Sequence, residues 1–309
     1  MRKIQNVAIA GLGAVGASYA AKIHDWNPKA IQVIVNEERL NRYRETPCRI
    51  NGKTYHFQYV LPEEAAKPAD LVLIGVKYPQ LLQGIEDIRN HVGPDTTILS
   101  LLNGIDSEEI IGQRYGMEKL LYATCVGIDA VRKGTEIKYS TIGEIHFGER
   151  DNTQRSPRVQ AVKELFEASG IPYTIPTDML RALWWKFMVN VGINQPSAIL
   201  RAPYRAFQEI PEAIELMEAA MLEVISLANK MDVNLQKSDI QGFQKVLATL
   251  GPESKTSMLQ DIESGRKTEV DMLGGVMLKL GKQYGVETPV NRILVQMIQC
   301  LEKMQTTVE

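Results

Sequence analysis

The sequence predicts an α/β fold, a doubly wound parallel sheet followed by an all-helical C-terminal domain. Three observations lead there. Short apolar runs alternate with helical stretches through the first half, a glycine-rich turn directly follows the first run, and the strand signal disappears after about residue 176.

Residues 6–10 form a short apolar run that ends at the glycine turn, and a helical stretch follows over 17–23. Residues 31–35 are a second strand candidate, rich in β-branched side chains. Residues 70–76 and 97–102 are continuous apolar runs of strand length. Runs apolar on both faces are what a buried parallel sheet requires. From about 118 to 149 the pattern changes, with strand signals at 120–126, 136–140 and 144–148 and no long helix between them. An antiparallel or mixed extension of the sheet is expected there. A helix over 159–169 and a strand at 172–175 close a first domain of residues 1–176. Asp178 is the N-cap candidate for a helix through Leu180, Leu183, Phe187 and Val191. Further helices are expected at 212–230, 239–250, 268–284 and 289–305, the last two separated by Gly285-Val286-Glu287-Thr288-Pro289. Residues 177–309 thus form the helical domain.

The chain has 309 residues, is 44% hydrophobic and carries a formal charge of -2, enough for two domains with cores of their own and too neutral for a polyanion. Nucleic acid is therefore not an expected partner. Cys48, Cys125 and Cys300 form no CxxC pair, and His24, His56, His91 and His146 fall at no i,i+4 spacing, so neither a disulfide framework nor a metal site is expected. Only Arg2 and Lys3 precede the first apolar run, which is too short for a secretion signal. No stretch approaches the roughly 18 apolar residues that span a bilayer. A cytoplasmic protein with no membrane partner is the simplest expectation.

Gly11-Leu12-Gly13-Ala14-Val15-Gly16 follows a strand, opens a helix, and has a second strand about twenty residues later. That context makes it a Rossmann-type dinucleotide fingerprint. Gly11 permits the tight turn, Gly13 lets the backbone approach a pyrophosphate, and Gly16 lets the helix pack on the strand. Phosphates then meet the unpaired N–H groups of the helix start. The tip of the second strand selects the cofactor, an acidic residue holding the ribose hydroxyls of NAD and an arginine the 2′-phosphate of NADP. Here Asn36 tolerates a phosphate and Arg39 could reach one, whereas Glu37 argues the other way. NADP (as NADPH) is favoured and NAD stays open. Lys77 and Asn103 stand where two further apolar runs stop, at the strand ends where such sheets bind ligands. Each has an ordinary reading as well, a surface lysine and a turn residue before Gly104.

In the second half, Lys186, Asn190 and Asn194 are spaced i, i+4, i+8 among almost wholly apolar neighbours. On a helix that spacing drifts by about 40° per step, so all three lie on one side. Buried polar groups need partners, and a bound substrate can supply them. The competing reading is a lysine reaching solvent along a core helix. Ser257 and Glu269 offer a hydroxyl and a carboxylate further on, though a carboxylate near a helix start is also explained by the helix dipole.

Together these residues resemble the ketopantoate reductases, NADPH-dependent 2-dehydropantoate 2-reductases of pantothenate biosynthesis. The resemblance rests on the GxGxxG start, Val76-Lys77, Asn103-Gly104, Lys186-xxx-Asn190-xxx-Asn194, Ser257-Met258-Leu259-Gln260-Asp261 and Thr268-Glu269-Val270-Asp271, in order along nearly the whole chain. It implies that Gly11, Gly13 and Gly16 contact the pyrophosphate and that Lys77 and Asn103 bind the cofactor near its ribose. It implies Lys186 as proton donor to the substrate ketone, and Asn190, Asn194 and Ser257 as ligands of a small 2-keto acid. Glu269 would touch the cofactor side and orient Lys186. The chain departs from the pattern at Asn36, where arginine is frequent, and at Tyr204, which stands in place of another substrate-side asparagine. The first departure bears on NADP, the second on ketopantoate as substrate. Reduction of another short 2-keto acid is the alternative, and a non-catalytic NAD(P) sensor a further one, which has no need of a proton donor. The last helices are apolar enough for a homodimer, and a monomer stays open.

Overall fold

A computed structural model describes residues 3–64 and 67–306, the side chain of Thr306 excepted. The described residues up to Leu180 form one compact unit and those from Arg181 onward a second.

The first unit is built on twelve strands: β1 Val7–Ala10, β2 Ile31–Ile34, β3 Cys48–Ile50, β4 Lys53–Tyr55, β5 Gln58–Val60, β6 Leu71–Ile74, β7 Thr97–Ser100, β8 Leu120–Val126, β9 Val131–Lys133, β10 Glu136–Lys138, β11 Glu144–Gly148 and β12 Tyr173–Thr174. Eight of them form one sheet in the order β12-β11-β8-β7-β6-β1-β2-β5. Pairing is parallel from β5 through β8 and antiparallel between β8 and β11, so the mixed extension lies at that edge. The chain leaves β1 toward β2 on one side and returns to β6 on the other, which puts the topological switch point at β1.

The continuous apolar runs are explained by burial on both faces. In β1, Val7 and Ile9 enter one core while Ala8 and Ala10 enter another, and Leu71 and Leu73 of β6 likewise oppose Val72 and Ile74. Helices α1 Ala14–Trp26 and α5 Pro157–Ser169 cover the first face with Ala17, Ala20, Ile23, Val162 and Phe166. Leu81 and Ile85 of α3 Leu81–Asp87 and Ile111 of α4 Ser107–Tyr115 cover the second. Each fully buried Val, Leu or Ile in these rows contributes roughly 1.5–3 kcal/mol. Helix α2 Glu37–Glu45 follows β2 and inserts Tyr43 into the first core.

The segment expected as a sheet strand at 136–140 does not join the main sheet. Strands β4, β3, β10 and β9 form a second sheet of four, in which β10 runs parallel to β3 through Glu136↔Arg49 and Ile137↔Ile50. The reason is the pattern itself. Ile137 is flanked by Glu136 and Lys138, so β10 can bury one face only, whereas inner strands of the main sheet are covered on both.

The second unit is helical, with α6 Met179–Leu200, α7 Tyr204–Glu209, α8 Pro211–Lys230, α9 Lys237–Leu247, α10 Ser257–Glu263, α11 Val276–Tyr284 and α12 Pro289–Thr306. Helix α6 opens in the last two residues of the first unit, directly after Asp178. Helices α7 and α10 carry too few turns to show in the periodicity. The helix expected over 268–284 starts later, as a wide π turn at Asp271–Gly275 in which the Gly275 N–H donates to the Val270 carbonyl at 2.9 Å. A polar chain, buried at Gln195 and Asn291, ties three helices together. Glu223 of α8 accepts from the Val290 and Asn291 N–H groups at the start of α12, and from the Asn291 amide at 2.7 Å. Asn291 in turn accepts from Gln195 of α6 at 2.9 Å. Among the described residues, no helix is long and apolar enough to cross a membrane, and no group of three or more His, Cys, Asp or Glu is placed to hold a metal ion.

Candidate active site

The register of the parallel strands decides what meets at the sheet edge. Ala10, Ile34, Ile74 and Ser100 lie in one row across β2, β1, β6 and β7. Gly11, Asn36, Lys77 and Asn103 each follow that row within three residues, so all four emerge at the carboxyl edge of the sheet. This is the edge, beside the switch point at β1, where open α/β sheets bind their ligands.

The glycines there are a steric requirement. Gly11 has φ +102°, and a Cβ on it would lie 2.6 Å from the Gly75 carbonyl carbon. A Cβ on Gly16 would lie 2.2 Å from the Gly11 carbonyl oxygen. Backbone therefore packs on backbone across β1, β6 and α1. Gly13 is the N-cap of α1 and has no side chain to satisfy the helix's first N–H groups. A helix start stripped of side-chain caps and walled by glycine fits a dinucleotide pyrophosphate.

At the β2 tip, Asn36 is exposed and is the N-cap of α2, its side-chain oxygen accepting the Arg39 N–H at 3.0 Å. Asn36 and Arg39 therefore share one helical turn, with Asn36's side-chain oxygen engaged by the helix. Glu37 and Glu38 are exposed beside them, and Glu38 pairs with Arg42 at 2.5 Å. Lys77 is exposed and Asn103 half-buried. The loops carrying them are tied by the Tyr78 hydroxyl, which donates to the Asp106 carboxylate at 2.6 Å. Beneath the Asn103 loop, Ser100, Ser107 and Glu108 are buried in a hydrogen-bonded row, with Ser100 Oγ to Ser107 Oγ at 2.8 Å and Ser107 Oγ to Glu108 Oε2 at 2.9 Å. Burial pushes the Glu108 carboxyl up to about 7.

One residue at the fingerprint escaped sequence reasoning. Arg132, on β9 of the small sheet, donates to the Leu12 carbonyl, to the Tyr43 hydroxyl at 3.0 Å and to the Gly134 carbonyl at 2.7 Å. Nothing local marks it, because its partner at Leu12 is 120 residues away.

In the second unit, Lys186 and Asn190 are half-buried and Asn194 is 9% exposed, so the polar row on α6 sinks inward along the helix. Two contacts fasten to α6 the segments that carry the other expected residues. The Thr256 hydroxyl caps α10, accepting from the Leu259 N–H, and donates to the Ser197 hydroxyl of α6 at 3.1 Å. Exposed Ser257, the first residue of α10, follows this anchor directly, and Ser197 is three residues past Asn194 on α6. The π turn is the second contact. A Cβ on Gly274 would lie 2.3 Å from Gln195 Oε1 and 2.3 Å from Val295, so this turn is pressed onto α6 and α12. Half-buried Glu269 lies two residues before the turn, next to Thr268, whose N–H and hydroxyl both donate to Glu302 of α12 at 2.7 Å. Tyr204 opens α7, with its phenol pushed up by burial.

This sheet and its glycine cradle define a Rossmann-type NAD(P)-binding fold, and the relatives it matches make the protein an oxidoreductase. The family follows from comparison with known proteins. Residues 7–152 match the family described as Ketopantoate reductase PanE/ApbA, and residues 178–302 its C-terminal counterpart. The chain belongs to the ketopantoate reductase family, whose members act on CH–OH groups. Among curated relatives, the 2-dehydropantoate 2-reductase of Aquifex aeolicus is 25% identical, and the alignment covers 97% of each chain. That of Streptococcus pyogenes serotype M1 is 24% identical over 96% of this chain and 97% of its own. Among solved structures, D-mandelate dehydrogenase with NADH and anilino(oxo)acetate superposes with a TM-score of 0.86 at 23% identity, covering 97% of this chain and 99% of that one. The PanE/ApbA family ketopantoate reductase of Ralstonia eutropha JMP134 gives 0.83 at 22% identity, with the same coverage. These likenesses establish the α/β fold followed by a helical region.

Proposed function

We propose that the protein reduces 2-dehydropantoate to pantoate with NADPH, and that Lys186 gives the proton. The observation that carries the reading is the row of Lys186, Asn190 and Asn194 on α6, with the Ser257 helix and the Glu269 turn fastened to the same helix through Ser197 and Gln195. A bound nicotinamide supplies the hydride. Negative charge then grows on the ketone oxygen, and a lysine ammonium both stabilises it and protonates it. Asn190, Asn194 and Ser257 bind and orient the keto acid, and Glu269 orients Lys186 from the cofactor side. Gly11, Leu12, Gly13, Ala14, Val15 and Gly16 hold the pyrophosphate, while Lys77, Asn103, Asn36 and Arg39 hold the ribose side. The family supports ketopantoate as the substrate, and Arg39 beside Asn36 supports the phosphorylated cofactor.

Lys186→Met tests this. Turnover should fall about 10²–10⁴-fold, the range for loss of a general acid, while the Kd for NADPH stays within twofold. Turnover equal to that of the wild type would remove Lys186 from the reaction.

A second reading, reduction of another short 2-keto acid with NADH, has its own support. The D-mandelate dehydrogenase structure holds NADH and anilino(oxo)acetate, Asn36 replaces the frequent arginine, and Tyr204 replaces an asparagine. A homodimer is proposed as well. One structural neighbour is a dimeric ketopantoate reductase from Staphylococcus aureus, and α12 here exposes Ile293, Met297 and Met304.

A further inference from the structure

We infer that Arg132 is a positioning residue for the dinucleotide, holding the Leu12–Gly13 peptide so that the Gly13 N–H is presented to a phosphate; this rests on the reading that the glycine loop takes a nicotinamide dinucleotide. The guanidinium is held by three hydrogen bonds. Its Nε donates to the Gly134 carbonyl of its own turn at 2.7 Å, and a terminal nitrogen donates to the Tyr43 hydroxyl at 3.0 Å. The Tyr43 side chain is fixed too, since it is 3% exposed and stacks on Tyr59 with ring centres 5.1 Å apart and planes 7° from parallel. The remaining arm of the fork reaches the Leu12 carbonyl inside the fingerprint.

A trans peptide is planar, with its C=O and N–H pointing in opposite directions. Gripping the Leu12 carbonyl therefore sets the direction of the Gly13 N–H, the first donor of the N-cap residue of α1. A cation on the carbonyl oxygen also polarises the peptide and strengthens that N–H as a donor. Without the grip, a loop with glycine at both 11 and 13 has many backbone conformations to choose from. The same arrangement gives the four-stranded sheet a purpose. It carries the β9–β10 hairpin out of the main sheet and delivers Arg132 to a loop 120 residues earlier in the chain. Tyr43 belongs to α2, whose first turn holds Asn36 and Arg39, so one guanidinium links the pyrophosphate and ribose ends of the proposed site.

The test uses the full chain. Binding of NADPH and of NADH is measured by nicotinamide fluorescence for the wild type, Arg132→Met, Arg132→Lys and Tyr43→Phe, alongside thermal melting. Loss of a charge-assisted bond should raise the dinucleotide Kd about tenfold or more in Arg132→Met. Arg132→Lys, a point charge without the fork, should recover only part of it. Tyr43→Phe, which keeps the ring, should raise Kd two- to threefold. In steady state the loss should fall on KM for the dinucleotide rather than on kcat, with melting temperatures within a few degrees of the wild type. Folded Arg132→Met, or Arg132→Lys and Tyr43→Phe should the first not fold, binding with wild-type Kd would overturn the inference. So would a loss that appears only as a lowered melting temperature. A wild-type chain that binds neither dinucleotide would instead overturn the reading on which the inference rests.

Discussion

Replacing Glu108 by glutamine should flatten the pH dependence of stability. Glu108 is 1% exposed, and its two oxygens accept from the Ser107 hydroxyl at 2.9 Å and the Ala123 N–H at 3.3 Å. Burial outweighs those bonds and moves its pKa from 4.5 to about 7. Below pH 4.5 the carboxyl is protonated in both the folded and unfolded chain and has no effect on their balance. Between pH 4.5 and 7 only the unfolded chain releases the proton, so stability falls. Above pH 7 both release it and the loss is complete. Linkage puts that loss at about 3 kcal/mol, of which about 2–3 kcal/mol develops between pH 5 and 8. Glutamine has nearly the same shape, can accept from Ala123 and donate to Ser107, and does not ionise. Urea denaturation at pH 5, 6, 7 and 8 should therefore show Glu108→Gln gaining on the wild type by about 2–3 kcal/mol across the series. A difference between the two proteins that stays constant with pH would refute the reasoning.

Two further substitutions probe the cofactor end and the helical unit separately. Asn36→Asp keeps the cap on α2 but places a carboxylate at the β2 tip. The Kd for NADPH should rise about tenfold relative to that for NADH, with stability unchanged, and an unaltered ratio in a fluorescence titration would remove Asn36 from the 2′-phosphate. Gly274→Ala puts a methyl 2.3 Å from Gln195 Oε1 and from Val295. Overpacking of this kind should cost about 1–3 kcal/mol in urea denaturation, and a variant as stable as the wild type would mean that the π turn yields freely.

Much of this architecture is legible in the sequence because its inner strands are covered on both faces. A run such as Leu71-Val72-Leu73-Ile74 has few other structures open to it. The row of Lys186, Asn190 and Asn194 is legible for a similar reason, since helical spacing alone puts it on one side of α6. What stayed hidden depends on contacts far apart in the chain. β10 is a three-residue strand with one buried apolar residue, and only its pairing with β3 fixes where it goes. Glu108 and Glu109 look alike at the start of α4, yet the first is buried and the second exposed. The widened turn at Asp271–Gly275 carries a continuous helical pattern, and its extra residue follows from the close seat of Gly274 on Gln195. Arg132 sits in a polar hairpin with nothing beside it to suggest a role.

The central claim, NADPH-dependent reduction of 2-dehydropantoate, is tested most directly by following NADPH absorbance with a panel of short 2-keto acids. Rapid oxidation with 2-dehydropantoate, a kcat/KM at least tenfold above that of any other acid or of NADH as donor, and its collapse in Lys186→Met are the expected result. Preference for a different keto acid with NADH would favour the second reading. No oxidation with any acid in the panel would contradict the account.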